Sequence, residues 1–413
     1  MAPSHRGFET GEAGLRLQGV DVVALAARRG TPYFLLDPAR VRAAARGALT
    51  TARRLLPDAE VAYAVKANAH PAVLAAARAA GLGAEVISGQ ELTAALGAGF
   101  VAERIVFNGP GKRNDELADA VRHGVHIQVE SAGEARALAA AAADRPARAG
   151  VRVNPGLSGD GGPSDMHTAT AGSVFGVRPG AELDEVLGLL RAAGLALESL
   201  SVHLGTGLLS AEPYRRAAHL LAALAREHDA SAVDLGGGFP IASEVRYPGG
   251  GIVPPAETAV PPPASVPTFA DICAAIAAEL PREAPPRVVL EPGRLLVSDA
   301  MHLVTSVVRV KESGGRRFVV VDAGRFQNAF FVGRGWHDIV LAVRPDAPAT
   351  RPTTVVGPLC AGFDVYATER LLPELAEGDV LVVLDVGAYN LSAQSRWSFP
   401  PAPVVDLGSG ELP

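Results

Sequence analysis

The sequence has only two cysteines in 413 residues, Cys273 and Cys360, and they lie far apart. A disulfide scaffold is thereby excluded in practice, and a reducing cytoplasm is the expected setting. Excess positive charge is missing too: 38 Lys and Arg stand against 44 Asp and Glu, for a net charge of -6. With a pI near 6.0, no nucleic-acid partner is expected, since that would favour a basic face. No apolar run approaches membrane-spanning length, and the first residues, MAPSHRGFETGEAG, hold no secretory apolar region. No membrane association is expected. What is present is ordinary for a globular protein: 48% hydrophobic and 20% charged residues, mean hydropathy +0.19. The length favours two domains over one core.

Strand and helix patterns alternate along most of the chain. VAYAVKA, GAEVIS, RIVFNG, HIQVE, GVRVNP, LESLSVHLG, AVDLGGG and RVVLEPG read as strands. Alanine-rich helical stretches separate them, which is the βαβ pattern. Roughly eight such units over about 250 residues fit a closed (β/α)8 barrel better than an open sheet. After Arg294 the character changes. LVTSVVRVKE, RRFVVVDAG, TTVVGPLC, DVLVVLDVG and APVVDLG are strand-like with few helices between. The expected organisation is a segment 1–36 packing with the β domain, a barrel over 37–294 and a mostly β domain over 295–413. Two loops stand out, Gly156 to Gly172 and Ile241 to Pro267. The second is too proline-rich for helix or sheet, so it is a surface insertion or a lid.

Several residues at strand ends invite a chemical reading. Lys66 closes the apolar strand VAYAVK just before a helix that begins at Pro71. A lysine amine in an apolar site has a lowered pKa and suits attack on an aldehyde, although a lysine can also snorkel to solvent. His203 follows LESLSV and could stack on an aromatic ring; Thr206, between Gly205 and Gly207, could hold an anion. Gly236, Gly237 and Gly238 expose backbone N–H groups as a phosphate cradle or form a flexible turn. Glu291 and Arg294, in EPGR, would pair with a protonated ring nitrogen and a phosphate, or form a structural ion pair.

Taken in order, YAVKAN, HLGTG, DLGGGFP, EPGR, GPLCAGFD and GAY resemble the fold-type III pyridoxal-phosphate decarboxylases, the group of the ornithine, arginine and diaminopimelate enzymes. The likeness runs from about Gly30 to Val404. It implies an α/β plus β fold: an alanine-racemase-like (β/α)8 barrel with a C-terminal β domain. It also implies a carboxy-lyase that uses pyridoxal 5'-phosphate. By this resemblance Lys66 binds the cofactor aldehyde, His203 stacks on its ring, and Glu291 keeps the ring nitrogen protonated. Gly236, Gly237, Gly238, Arg294 and Tyr389 of GAY hold the phosphate. Thr206 replaces the family's usual serine, and Glu85 stands where an aspartate is usual. Cys360 matches the cysteine that returns a proton and comes from the partner subunit, which implies a homodimer with shared sites. Asp364 matches as a structural or interfacial carboxylate and counts among the candidate substrate residues.

The same resemblance bears on substrate through what is missing. In the basic-amino-acid and diaminopimelate members an acidic residue follows the cysteine; here it is Ala361. The ornithine enzymes add a second acidic residue, at the position matching Ala323 here, with Asp322 adjacent. A distal ammonium would then be buried unpaired, at a cost of several kcal/mol. RIVFNGPGKR and NAFFVGRG are similar to the branch acting in siderophore, antibiotic or polyketide pathways. The expected substrate is therefore an amino acid or conjugate of specialised metabolism, free or tethered to an acyl or peptidyl carrier protein. Arg325 and Arg334 would meet its carboxylate or phosphate, or else are solvated. Alternatives are a diaminopimelate or basic-amino-acid decarboxylase, an amino-acid racemase, and a non-catalytic homologue.

Overall fold

The computed structural model describes residues 7–11, 14–56, 58–157, 167–241, 256, 265–327 and 337–410. Two compact units emerge. One comprises Arg42–Ile241 with Ser265–Leu296; the other gathers the described residues before Arg42 and after Leu296, with Ala256.

The first unit is a closed barrel of eight parallel strands. In chain order they are Glu60–Ala64, Gly83–Val86, Ile105–Phe107, His126–Val129, Arg148–Arg152, Leu197–Ser201, Ala232–Asp234 and Arg287–Leu290. Each pairs with the next, and the eighth closes on the first through Val289 with Glu60 and Leu290 with Val61. The barrel is the one expected from the βαβ alternation. Its strands are buried on both faces, which explains their near-continuous apolar sequence. The helices start where the sequence supplies a cap. Ser88 Oγ accepts from Glu91 N at 3.2 Å, Ser131 Oγ accepts from Glu134 N at 3.1 Å, and Pro71 opens its helix where no N–H is needed. The helix Glu212–Glu227 lays Tyr214, Ala217, Ala218, Leu221 and Ala225 on the barrel wall.

The lower barrel interior is polar. His126 and Gln128 both meet Ser199 Oγ at 2.8 Å. Gly150 lies between them, and a Cβ there would come within 2.3 Å of both Gln128 Oε1 and Ser199 Oγ. Only glycine lets this layer fill with hydrogen-bonded side chains.

The second unit is built on sheets. Its spine is the long strand Met301–Ser313, which pairs with Arg316–Val321 on one side and Val380–Val383 on the other. The strand Tyr33–Leu36 also pairs with it, from Met301 with Leu36 to Val304 with Tyr33. A buried cluster including Phe8, Leu15, Leu17, Leu25, Leu35, Val304, Val382 and Leu384 forms its core. Of the Pro-rich connector, Ala256 makes a parallel bridge with Thr368; residues 242–255 and 257–264 lie outside the described residues, as do 158–166 of the Gly/Ser loop.

One expected boundary is corrected. The first barrel strand ends at Ala64, and Lys66 rides on a 3-10 turn, Val65–Ala67. The turn is tied by Asn68 N to Val65 O at 3.1 Å, by Tyr63 Oη to Asn68 O at 2.9 Å and by His70 N to Asn68 Oδ1 at 3.0 Å.

Candidate active site

The C-terminal edge of the barrel surrounds a cavity of about 270 Å³ lined by Lys66, Glu85, Asn108, Arg152, His203 and Glu291, among others. Each side chain arrives from the end of a different strand, which is where parallel barrels place chemistry. Lys66 points from its 3-10 turn to Glu85 and forms an ion pair; the lysine side chain is 31% exposed, the glutamate 1%. The amine therefore does not stand alone in an apolar lining. Asn108, after the third strand, donates to Glu85 Oε1 at 3.3 Å and to Glu291 Oε1 at 2.7 Å. A hydrogen-bonded chain Lys66–Glu85–Asn108–Glu291 thus crosses the barrel mouth. Burial pushes the Glu291 carboxyl well above the usual range, and Asp234 and Glu85 beside it push it further.

Opposite, Arg152 ends the fifth strand. Its guanidinium donates to Glu130 Oε1 at 3.0 Å and lies 4.5 Å from the Phe175 ring centroid. Glu130 also accepts from Gly109 N at 3.0 Å and Gly176 N at 3.1 Å, so one buried carboxylate fixes Arg152 and two loops. His203 accepts at Nδ1 from Gly237 N, 3.1 Å away, which leaves the ring proton on Nε2. Burial holds this imidazole well below its ordinary pKa, with Arg152 and Lys66 adding; it is a neutral, flat surface at the cavity wall.

The glycine loop is a close backbone approach. A Cβ on Gly238 would lie 1.8 Å from Gly205 O, and one on Gly237 would lie 2.4 Å from Glu291 O. Gly236 and Gly238 have φ of 64° and 80°, in the left-handed region that favours glycine. Thr206 lies on the loop after the sixth strand, between Gly205 and Gly207, both of positive φ. Arg294 is buried just after the eighth strand.

The remaining candidates belong to the other unit. Tyr389 has a φ of 67° and precedes the short helix Asn390–Ala393. Cys360 is exposed. Asp364 is buried and spent on backbone: it accepts from Arg325 N at 2.7 Å and from Leu359 N at 2.8 Å, stapling the turn that carries Cys360. Arg325 points its guanidinium toward Phe363 O, 3.5 Å away. Asp322, adjacent to Ala323, accepts from Thr305 Oγ1 at 2.6 Å, from Ser306 N at 3.0 Å and from Thr31 Oγ1; its carboxylate is spent inside the unit. Arg334, with the whole NAFFVGRG stretch, lies outside the described residues.

Sequence reasoning missed Asn108, Arg152 and Glu130. The available signal was position: each is a polar residue at or just past the end of an apolar barrel strand.

Known proteins with this arrangement are informative. The family model described as "Pyridoxal-dependent decarboxylase, pyridoxal binding domain" matches residues 42–298. The chain belongs to this family of pyridoxal-dependent decarboxylases. It is 34% identical over 396 residues to the diaminopimelate decarboxylase of Methanothermobacter thermautotrophicus, covering 94% of this chain and 89% of that protein. The diaminopimelate decarboxylase of Archaeoglobus fulgidus is 30% identical over 414 residues, covering 98% and 94%. Among solved structures, diaminopimelate decarboxylase from Helicobacter pylori complexed with L-lysine matches with a TM-score of 0.80 at 27% identity, over 93% of each chain.

This decarboxylase is a carboxy-lyase whose cofactor is pyridoxal phosphate. The residues present fit that group: an amine, a neutral flat imidazole, a buried carboxyl for a ring nitrogen and a glycine loop whose Cβ-free space admits close backbone contact. The relatives overturn the expectation of a specialised-pathway, carrier-tethered substrate. That expectation rested on the absence of acid at Ala361 and Ala323, which the likeness over nearly the whole chain outweighs. The RIVFNGPGKR segment also has a structural account. Asn108 bridges Glu85 and Glu291, and Lys112 is fully buried against Glu134 at 2.6 Å.

Proposed function

We propose that this decarboxylase removes the α-carboxylate of diaminopimelate to give lysine, with the barrel mouth as its cofactor site. The observation that supports the cofactor reading best is the chain from Lys66 through Glu85 and Asn108 to Glu291 across one cavity. Bound pyridoxal phosphate would supply an electron sink for the pair left behind when CO2 departs. Lys66 would hold the cofactor aldehyde at the barrel mouth. Glu85 pairs with the Lys66 ammonium and holds it at the cavity. His203 would support the cofactor's ring as a neutral imidazole, and Glu291 would hold its ring nitrogen. Gly236, Gly237, Gly238, Thr206 and Arg294 would hold the phosphate, and Tyr389 is a further candidate for it.

The Cα–carboxylate bond breaks, the carbon leaves as CO2, and a proton from Cys360 takes its place on Cα. Because Cys360 is exposed in the single chain, it is free to serve the site of a second copy, so the working form is a homodimer. The relatives support diaminopimelate over lysine and ornithine, and Arg325 is the candidate for its distal carboxylate.

The test is turnover of a panel of free amino acids by the cofactor-loaded protein, with product read by mass spectrometry. Lysine formed from diaminopimelate, at a kcat/KM at least about tenfold above CO2 release from lysine, ornithine or arginine, supports the reading. Preference for ornithine or arginine would refute it.

A further inference from the structure

The loop after the third barrel strand, Asn108 to Lys112, is held by more than its own turn. Both poles of the Gly109 backbone are bound by charged side chains. Its N–H donates to Glu130 Oε1 at 3.0 Å, and its carbonyl accepts from Lys112 Nζ at 2.5 Å. Lys112 Nζ also lies 2.6 Å from Glu134 Oε1 as an ion pair, and Glu134 Oε2 accepts from Glu130 N at 2.8 Å. These contacts close a circuit from Gly109 through Glu130, Glu134 and Lys112 back to Gly109. The Lys112 side chain is fully buried, that of Glu134 is 10% exposed, and Glu130 is buried. Water therefore competes little for these bonds.

Charge balance does not account for the circuit. Glu130 is already neutralised by Arg152 at 3.0 Å, so Lys112 answers only to Glu134. A buried pair that serves nothing but itself can be exchanged for apolar side chains with little loss, because desolvation offsets the attraction. What apolar side chains cannot supply is a donor for the Gly109 carbonyl. That carbonyl lies one residue past Asn108, whose amide donates to Glu85 Oε1 at 3.3 Å and to Glu291 Oε1 at 2.7 Å. The longer contact is already at the limit of hydrogen-bond length, so a small displacement of Asn108 breaks it. Before its side chain, Asn108 is tied by its own N–H to Val86 O at 2.8 Å. After it, the tie is the circuit through Gly109, whose φ of 97° lies in the region open to glycine.

We propose that Lys112 is a positioning residue of the cofactor site: by holding the Gly109 carbonyl it fixes the backbone after Asn108 and keeps the Asn108 amide between Glu85 and Glu291. The proposal rests on the reading of this cavity, which Asn108 and Gly109 line, as the pyridoxal phosphate site. Lys112 is not among the residues lining the cavity and acts through Asn108. Glu134, in the first turn of the helix Ala132–Ala141, holds the ammonium in place.

Removing the ammonium alone would leave Glu134 buried and unpaired, so the variant of choice is the charge-balanced Lys112→Met with Glu134→Gln. It keeps the side-chain bulk and an acceptor for Glu130 N, and loses the donor to Gly109. Affinity for pyridoxal phosphate is read by titrating cofactor absorbance into cofactor-free protein, for this variant, for Asn108→Ala and for the two combined. The charge-balanced variant should bind at least about fivefold more weakly than wild type, and Asn108→Ala at least about tenfold, as losses of hydrogen bonds to charged groups. Because Lys112 acts through Asn108, the combined variant should bind within about twofold of Asn108→Ala. The second readout is amide hydrogen exchange of the cofactor-free proteins. The peptide carrying Gly109 should exchange at least about fivefold faster in the charge-balanced variant, while peptides from the opposite barrel wall keep their rates.

Losses that multiply in the combined variant would overturn the proposal, since Lys112 would then act on binding by another route. Unchanged affinity, or unchanged exchange at Gly109, in the charge-balanced variant would overturn it too. Faster exchange spread over the whole barrel would do the same, because the pair would then be holding the fold and not the loop. If wild type itself binds no pyridoxal phosphate, the cofactor reading fails instead, and exchange at Gly109 still decides whether Lys112 fixes this loop.

Discussion

Cys360 owes its position to its neighbours. Asp364 clamps the preceding Leu359 N–H and the Arg325 N–H, and a Cβ on Gly357 would lie 2.4 Å from Asp364 Oδ2, so the turn has little freedom. If the thiol returns the proton to Cα, Cys360→Ala should lower kcat about 10²–10⁴-fold, the usual range for a positioned acid or base. Cofactor absorbance should be unchanged; a variant as fast as wild type would remove Cys360 from the chemistry. At this scale legibility followed residue type. Lys66, His203 and Glu291 were readable because a charged or titratable side chain ending an apolar strand demands an explanation. Asn108, Arg152 and Glu130 were not, because a polar residue at a strand end also reads as the start of a loop. Ala361 misleads at this scale, because one absent carboxylate says less about substrate than the likeness of the whole chain to diaminopimelate decarboxylases.

At the scale of elements, the alternation of strand and helix exposed the barrel, because a parallel strand buried on both faces has a continuous apolar sequence. It did not expose the 3-10 turn that carries Lys66, which is held by Asn68 and Tyr63 rather than by local propensity. Nor did it show that Tyr33–Leu36 pairs with Met301–Ser313, since no short-range pattern links strands more than 250 residues apart. That pairing has a testable consequence. Tyr33 is fully buried, its hydroxyl has no hydrogen-bond partner among the described residues, and burial raises its pKa. Tyr33→Phe should be neutral or stabilise the protein by up to about 1 kcal/mol, because an unsatisfied buried hydroxyl is removed. Thermal unfolding measures this, and a loss beyond about 1 kcal/mol would show that the hydroxyl is partnered after all.

At the scale of the whole molecule, the proposed site needs residues from two chains. Mixing Lys66→Ala with Cys360→Ala protein under conditions that exchange subunits then has a definite outcome. Half of the dimers are mixed, and one of the two sites in each is intact, so activity should recover to about a quarter of wild type. No recovery beyond the sum of the separate variants, with exchange verified, would mean that each chain completes its own site.

The cofactor site turns on one amine. The chain has three lysines, Lys66, Lys112 and Lys311, and the Lys112 side chain is fully buried against Glu134. Borohydride reduction of the pyridoxal phosphate-loaded protein, followed by peptide mass mapping, reads directly which of them holds the cofactor. A single phosphopyridoxyl group on the peptide containing Lys66 is the predicted result. Stoichiometric labelling of Lys311, or none on Lys66, would contradict the assignment of the barrel mouth as the active site.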